Sequence, residues 1–421
     1  MTWLKRYQIR SFIRNSIWLF PAISMVFAIA LHRILQWLHP FPGWEPTLSP
    51  NGARALLGTL SASLFTFIGF VFSILLLSVQ LASAQLTPRI IAFFYRTPVI
   101  KFSLTIFVFT FAFTLAVLSR IEESVYQLTL MLATYSSVVC IGIFLYMIDK
   151  VGKSLRPISL MNEIGSLGGK VIMQVYPHPF TGREELQPND PFIKTNTTFS
   201  VVESNRSGVL MAFDIKGLTE LARLNNCVIE LIPQTGAFIT SGEPLFHVYP
   251  DGNSISHYDL NLNIAIGSER TLEQDPEFAF RIIVDIASKA LSPAINDPTT
   301  GVIALDQIHR LLKTVSGQQL YDGRNYDAEG SLRLVYRTPD WDDFISLAIT
   351  EIRHYGGSSL QIVRRLRNML EKLIAVVPPQ RVASLQAELE ILDRAVTLDF
   401  REPADQVRAK SADSIGIGGS K

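Results

Sequence analysis

Four long apolar stretches occupy the first 150 residues of this 421-residue chain, and the remaining residues contain nothing comparable. They cover roughly residues 17–35, 56–81, 102–118 and 125–148. Each is near the ~20 apolar residues that a helix needs to cross about 30 Å of hydrocarbon. A helix satisfies its backbone hydrogen bonds internally, as lipid requires, so helices are expected rather than strands. The sequence predicts a membrane domain of four transmembrane helices over residues 1–156, followed by a large soluble domain.

Basic residues are concentrated in three of the segments that flank the apolar stretches. Ten of the thirteen Lys and Arg residues in 1–156 lie there, namely Lys5, Arg6, Arg10, Arg14, Arg89, Arg96, Lys101, Lys150, Lys153 and Arg156. By the positive-inside rule, these three segments face the cytoplasm and the two alternate connections face outward. The predicted location is therefore the inner (plasma) membrane, with lipid as a partner and both termini cytoplasmic.

The overall charge of +1 conceals an asymmetry between the two parts of the chain. Residues 1–156 hold 13 Lys and Arg against 4 Asp and Glu, whereas the remainder holds 25 against 33. A mildly acidic soluble part argues against nucleic acid as its partner. The two cysteines, Cys140 and Cys227, lie in different parts of the chain and predict no disulfide framework.

The second apolar stretch carries a polar stripe. Its small or polar residues recur in steps of three, four or seven, which places them on one helical face: Thr59, Ser63, Thr66, Ser73 and Gln80. Small and hydroxyl residues favour helix association in lipid, so a helix-packing seam is one interpretation. The other is a pore face, because hydroxyls and an amide can replace part of an ion's hydration. The pore interpretation makes a homo-oligomer the expected assembly.

Beyond residue 156 the composition is that of a globular α+β domain. Residues 157–265 contain short β-like runs and predict a β-rich subdomain, in which Gly236 and Gly242 flank a short strand. That spacing resembles the small β-barrel of biotinyl and lipoyl carriers and predicts a barrel-like shape. Residues 266–400 predict a helical subdomain, and the polar residues 401–421 predict a disordered tail.

Two Asp-Pro pairs mark helix starts in the helical subdomain. Asp275-Pro276 and Asp297-Pro298 each supply an N-cap and a proline at the first helical position. The densest polar cluster surrounds these starts and comprises Glu269, Arg270, Asp275, Arg281, Asp285, Lys289, Asn296 and Asp297. It predicts a salt-bridged helix face, a ligand or anion pocket at a helix N-terminus, or a switch between subunits.

Two sequence runs in and near these features indicate a family. They are Ala-Leu-Ser-Pro-Ala-Ile-Asn-Asp-Pro at 290–298 and Gln-Leu-Thr-Pro-Arg at 85–89. With the shorter runs at 269–271, 274–275 and 285–287, they closely resemble the predicted bacterial membrane proteins called domain of unknown function 2254. The resemblance covers most of the chain. It implies a multi-pass bacterial inner-membrane protein and implies no activity, cofactor or site.

The sequence contains partial matches to enzyme and metal-binding motifs, and each lacks a required residue or spacing. The glycines at 165–169 approach a phosphate loop, but their spacing is one residue short and Val171 replaces the expected Ser or Thr. Asn325, Asp327 and Glu329 imitate the start of a calcium loop whose twelfth position is Tyr336 rather than Glu. The seven histidines are scattered without metal-site spacing. We therefore expect no catalytic residues, no metal and no cofactor, and we expect a protein that is not an enzyme.

Two functional hypotheses follow from these features. The first is an oligomeric channel or transport-like protein, in which the polar stripe lines a pathway for an ion or small solute and the cytoplasmic domain assembles or gates it. The second is a membrane-anchored sensor or scaffold whose cytoplasmic domain binds a small ligand or a protein.

Overall fold

The computed structural model describes residues 2–37, 48–91, 96–121, 126–182, 198–250, 255–320 and 323–418. The chain divides into two compact units. Arg10–Ser159 form the membrane unit, and Leu160–Lys421 with Met1–Ile9 form the soluble unit.

Four helices in the described part of the chain are long and apolar enough to cross a membrane. They are α2 (Leu19–Trp37), α3 (Pro50–Gln85), α4 (Pro98–Leu118) and α5 (Gln127–Ser154), and a shorter helix, α1 (Trp3–Asn15), precedes them. The prediction of four membrane helices is confirmed. The second span ends just before Pro88, which begins a short 3₁₀ turn after α3.

The four membrane helices alternate in direction. The Ser24 hydroxyl donates to the Thr105 carbonyl (3.1 Å), and the rings of His32 and Phe113 meet further along both helices, so α2 and α4 are parallel. Arg54, near the start of α3, donates to the carbonyl of Ile121 (2.7 Å), just beyond the end of α4. An apolar cluster joins the start of α4 to the end of α5. The start of α2, the end of α3, the start of α4 and the end of α5 therefore lie at the same end of the bundle.

The soluble unit contains two open sheets. The five-stranded sheet has the order β1-β5-β3-β8-β7 and the three-stranded sheet the order β4-β2-β6. The strands are β1 (Ser200–Glu203), β2 (Gly208–Phe213), β3 (Val228–Leu231), β4 (Phe238–Ile239), β5 (Pro244–Tyr249), β6 (Ile264–Gly267), β7 (Arg324–Tyr326) and β8 (Leu332–Tyr336). The β3–β8 pair is parallel, and the other pairs are antiparallel. One apolar core, which includes Leu210, Phe246 and Leu334, lies among these strands.

Nine helices in the described residues complete this unit or lead into it. They are α6 (Pro157–Val175), α7 (Ile215–Leu224), α8 (His257–Asn261), α9 (Pro276–Ala290), α10 (Pro298–Ser316), α11 (Trp341–Gly356), α12 (Leu360–Ile374), α13 (Val382–Asp399) and α14 (Pro403–Ala409). Both Asp-Pro starts are confirmed, because Asp275 and Asp297 accept backbone amide hydrogen bonds in the first turns of α9 and α10.

Two expectations about the soluble domain are wrong. No barrel is present among the residues that the structure describes, because both sheets end in unpaired edge strands. The tail predicted to be disordered contains α14, and the Asp413 carboxylate accepts three backbone amides in residues 415–418. Arg364 of α12 also donates to the Ser411 carbonyl (3.0 Å). Polar composition predicted disorder here, but a buried carboxylate and a guanidinium satisfy the segment's backbone.

Candidate ligand pocket

The first turn of α9 holds a buried ion pair. Asp275 caps the helix by accepting a hydrogen bond from the Phe278 amide (3.0 Å), and two hydrogen bonds from the Arg270 guanidinium reach its carboxylate. Asp275 is 2% exposed, so it needs a cation beside it to remain charged at low cost. Gly236 makes room for the pair, because a Cβ there would collide with both side chains and its φ is +90°.

A cavity of about 370 Å³ lies beside this pair, within the soluble unit. Five separate segments line it: the end of α6 (174–177), the β2–α7 junction (213 and 215), the β3–β4 turn (234–235), the start of α9 (273–277) and the β8–α11 connection (336–339). We call this cavity the α9 pocket. Its volume falls within the ~300–1,000 Å³ of small-molecule sites.

The walls of the α9 pocket combine aromatic rings with fixed polar groups. The rings of Phe213 and Tyr336 meet edge to face with centroids 5.0 Å apart. Tyr176 is fully buried and donates its hydroxyl to the Pro339 carbonyl (3.4 Å). The Gln274 amide exchanges two hydrogen bonds with the backbone of Phe213 (3.0 and 3.1 Å), which ties the end of β2 to the loop before α9. The pocket is therefore held by contacts between distant segments.

Glu277 is a carboxyl group of the pocket with an altered titration. Its carboxylate accepts a hydrogen bond from the Gln234 amide (2.9 Å) and a longer one from Arg270 (3.4 Å). Burial raises the pKa of Glu277 to about 7, the Asp275 charge adds to the rise, and Arg270 opposes it. Near neutral pH this carboxyl group therefore exchanges a proton readily.

The structure divides the predicted polar network among several places. Arg270 and Asp275 line or support the pocket, whereas Glu269 is exposed. Arg281 and Asp285 form the predicted i,i+4 pair, and Arg281 also donates two parallel hydrogen bonds to Glu351 of α11 (2.6 Å each). Lys289 is partly buried further along the same helix. This part of the network joins α9 to α11 within one chain.

Asn296 and Asp297 belong to the turn between α9 and α10. Asn296 adopts a left-handed conformation with φ of +50°. The Asp297 amide donates to the Ala290 carbonyl (2.7 Å), and its carboxylate binds both the amide and the hydroxyl of Thr300. The 290–298 run is thus a tight helix–turn–helix connection, and its capped helix start lies outside the α9 pocket.

The polar stripe of the second span points away from the rest of the chain. All five of its members are exposed: Thr59, Ser63, Thr66, Ser73 and Gln80. Three of the hydroxyls donate to carbonyls four residues earlier in α3, at 2.9–3.1 Å. The face of α3 that packs inside the bundle is a different one, which includes Leu57, Leu64 and Val71. The stripe is therefore not a packing seam within the described part of the chain.

The residues that imitated enzyme motifs have structural roles. Gly165 and Gly168 lie in the middle of α6, and a Cβ on Gly168 would press against Ala279 of α9. Asp327 accepts the Ser331 amide (2.8 Å) and a hydrogen bond from Arg333 (2.6 Å), as in a turn. Within the described ranges, no group of three or more His, Cys, Asp or Glu side chains is arranged to hold a metal ion.

Sequence reasoning missed the pocket residues outside the α9 start. Glu277 lies two positions after Asp275 in the first turn of α9. Acidic residues are common there because they interact favourably with the helix dipole, so the local sequence did not mark Glu277 as a pocket residue. Gln234 and Tyr336 lie 43 and 59 residues from Glu277 in the sequence. The sequence around each of them gives no sign that they lie beside Glu277 in the pocket. The one available signal was Gly236, whose turn position marked a close approach.

Comparison with known proteins agrees with this architecture. Four membrane-length helices and a mixed α/β domain define a multi-pass membrane protein. Residues 14–372 match the predicted membrane protein family called domain of unknown function 2254, and the chain belongs to that family. Uncharacterized proteins of Mycobacterium bovis and Mycobacterium tuberculosis are 24% identical over 431 residues, covering 97% of this chain and 81% of theirs. No solved structure matches the chain.

Proposed function

We propose that this chain is a membrane-anchored binding protein whose C-terminal domain, on the cytoplasmic side of the bacterial inner membrane, binds a small molecule in the α9 pocket. The observation that carries the proposal is the cavity of about 370 Å³ bordered by the buried Arg270–Asp275 pair and by Glu277. Ligand sites combine apolar walls with a few converging polar groups, as here. The basic segments at one end of the bundle support the cytoplasmic placement.

Binding in this pocket would act on several elements at once. The five lining segments come from the ends of α6 and β2, the β3–β4 turn, the start of α9 and the β8–α11 connection. A ligand that contacts all of them stabilises their mutual arrangement, which is what a sensor requires. We propose binding rather than catalysis, since the buried Asp275 carboxylate is occupied by Arg270 and by the Phe278 amide.

The test is pocket-dependent capture of a small molecule by the purified full-length protein. The protein is equilibrated with a bacterial metabolite extract, and retained compounds are identified by mass spectrometry. In Thr235→Trp an indole replaces a small side chain that lines the cavity, so the captured compound should be lost. Thr240→Trp makes the same change at an exposed position and should retain it. Capture that is equal in both variants, or absent from the wild type, would refute the proposal.

A second candidate function is an oligomeric channel or transport-like protein. The observation that favours it is the outward face of α3, where Thr59, Ser63 and Thr66 are exposed and a Cβ on Gly69 would meet nothing within 4 Å. Small residues on one face allow close approach of a second helix in lipid. The hydroxyl bonds within α3 leave each oxygen with a free lone pair, which could face a pathway.

Substitution of the small residues tests this second candidate. Ser63→Leu with Thr66→Leu should break the oligomer or abolish ion flux in proteoliposomes. The control is Ala22→Leu with Ala30→Leu, two exposed small residues of α2. A stripe variant with the wild-type mass in detergent and the wild-type flux would exclude the stripe from assembly and conduction.

A further inference from the structure

We infer that the ligand of the α9 pocket is a monovalent organic cation, such as a primary amine, whose charge is bound by the Glu277 carboxylate. The inference rests on the proposed function and specifies the ligand class. Its first support is charge. Three carboxylates line the pocket against one guanidinium, and when Arg270 is counted as well the ionised set keeps a net charge of −1.

The second support is the unequal pairing of the two central carboxylates. Arg270 directs two hydrogen bonds to Asp275 and reaches Glu277 only at 3.4 Å. Gln234 binds Oε2 of Glu277, and among the described residues its Oε1 accepts no hydrogen bond. The Glu277 side chain is 17% exposed. A carboxylate oxygen that is accessible from a cavity is best satisfied by a charged N–H donor.

The third support is the presence of aromatic residues in the pocket lining. Phe213 and Tyr336 line the same cavity as Glu277, and their rings contact each other. An ammonium group is attracted both to a carboxylate and to aromatic faces. A metal ion is a poorer match, because no group of three metal-ligating side chains occurs in the part of the chain that the structure describes. The volume of the cavity also suits an organic molecule rather than a bare ion.

A cation in this position changes the proton affinity of Glu277. Its pKa is about 7 because burial and the Asp275 charge disfavour ionisation, while Arg270 favours it. Asp343 at the start of α11 also faces it, as do the remaining charged and phenolic groups of the pocket, Glu273, Arg337, Tyr176 and Tyr336. A bound cation favours the ionised form, so binding releases a proton. Affinity therefore rises with pH, by about tenfold from pH 6 to pH 8.

The experiment measures binding of three probes of similar shape to the full-length protein in zwitterionic nanodiscs. The probes are benzylamine, benzyl alcohol and benzoate, followed by ligand-observed NMR at pH 6 and pH 8. We expect benzylamine to bind best and about tenfold more tightly at the higher pH. Glu277→Gln should lose both the preference and the pH dependence. Glu203→Gln, which removes an exposed carboxylate on β1, should keep both.

The outcomes separate the two proposals. If benzyl alcohol or benzoate binds as well as benzylamine, or if Glu277→Gln keeps the preference, the cation assignment is overturned although the pocket still binds small molecules. Absence of binding by all three probes also overturns it, and capture from metabolite extract then decides the proposed function separately. Thermal unfolding of each variant confirms that a lost preference does not come from a lost fold.

Discussion

The Arg281–Glu351 contact should behave as a partly buried ion pair that holds α9 against α11. Its two hydrogen bonds are 2.6 Å long and parallel, the geometry in which guanidinium and carboxylate interact most strongly. The side chains are 23% and 43% exposed. Exposed pairs contribute about 0.3–0.5 kcal/mol, and breaking a buried pair costs about 3–5 kcal/mol. We expect an intermediate coupling of about 1–2 kcal/mol.

A double-mutant cycle of Arg281→Ala and Glu351→Ala measures this coupling. Asp285→Ala should cost less than Glu351→Ala, because Arg281 keeps its two bonds to Glu351. Unfolding of the soluble unit can be followed by thiol labelling of Cys227, which is 2% exposed, in a Cys140→Ala background. The labelling rate against denaturant gives the free energy of opening for each variant.

The matched control is the exposed pair Arg223–Glu220, which lies on α7 and joins no second element. Its cycle should show no measurable coupling. A coupling between Arg281 and Glu351 below about 0.5 kcal/mol would show that this pair behaves like an exposed surface ion pair. The inference that it joins the two helices would then be refuted.

Three further outcomes are expected. Arg381 is fully buried and donates to two backbone carbonyls, so Arg381→Met should destabilise the soluble unit by about 2–6 kcal/mol in the thiol assay, at about 1–3 kcal/mol for each carbonyl left without a donor, whereas the exposed Arg401→Met should not. The pKa of Glu277 in the folded protein, about 7, exceeds its unfolded value of about 4.3, so stability falls as pH rises through that window. Glu277→Gln should remove this fall, a gain of up to about 3 kcal/mol at pH 8. Reporter fusions after Trp44 and Lys153 should report outside and inside, and an inside signal at Trp44 would refute the topology.

Features with local physical causes were predictable from sequence. The membrane helices follow from apolar length, since α2 through α5 coincide with the four apolar stretches. The starts of α9 and α10 follow from Asp-Pro pairs, because the carboxylate cap and the proline act within one turn. The Arg281–Asp285 pair follows from i,i+4 spacing. In each case the cause lies within a few residues of its effect.

Features that depend on distant segments were not predictable. Glu351, the main partner of Arg281, lies 70 residues away, and Gln234 lies 43 residues from Glu277. The spacing of Gly236 and Gly242 predicted a barrel, but the positive φ of Gly236 serves a turn beside the Arg270–Asp275 pair. A turn glycine has the same sequence signature in either setting. The polar stripe was predicted from helical spacing, yet only the packing of α3 showed that its members are exposed.

The parallel pairing of β3 with β8 has a consequence for how the protein is made. β3 ends at Leu231 and β8 begins at Leu332, so the centre of the five-stranded sheet joins segments about 100 residues apart. At about 5–20 residues per second, a ribosome needs roughly 5–20 s to supply the second strand after the first. During that interval β3 keeps an open edge, and the core lacks Leu334, which is fully buried in the finished sheet. The nascent chain therefore exposes a strand edge and unfilled apolar surface at the stage when aggregation and chaperone binding compete with folding.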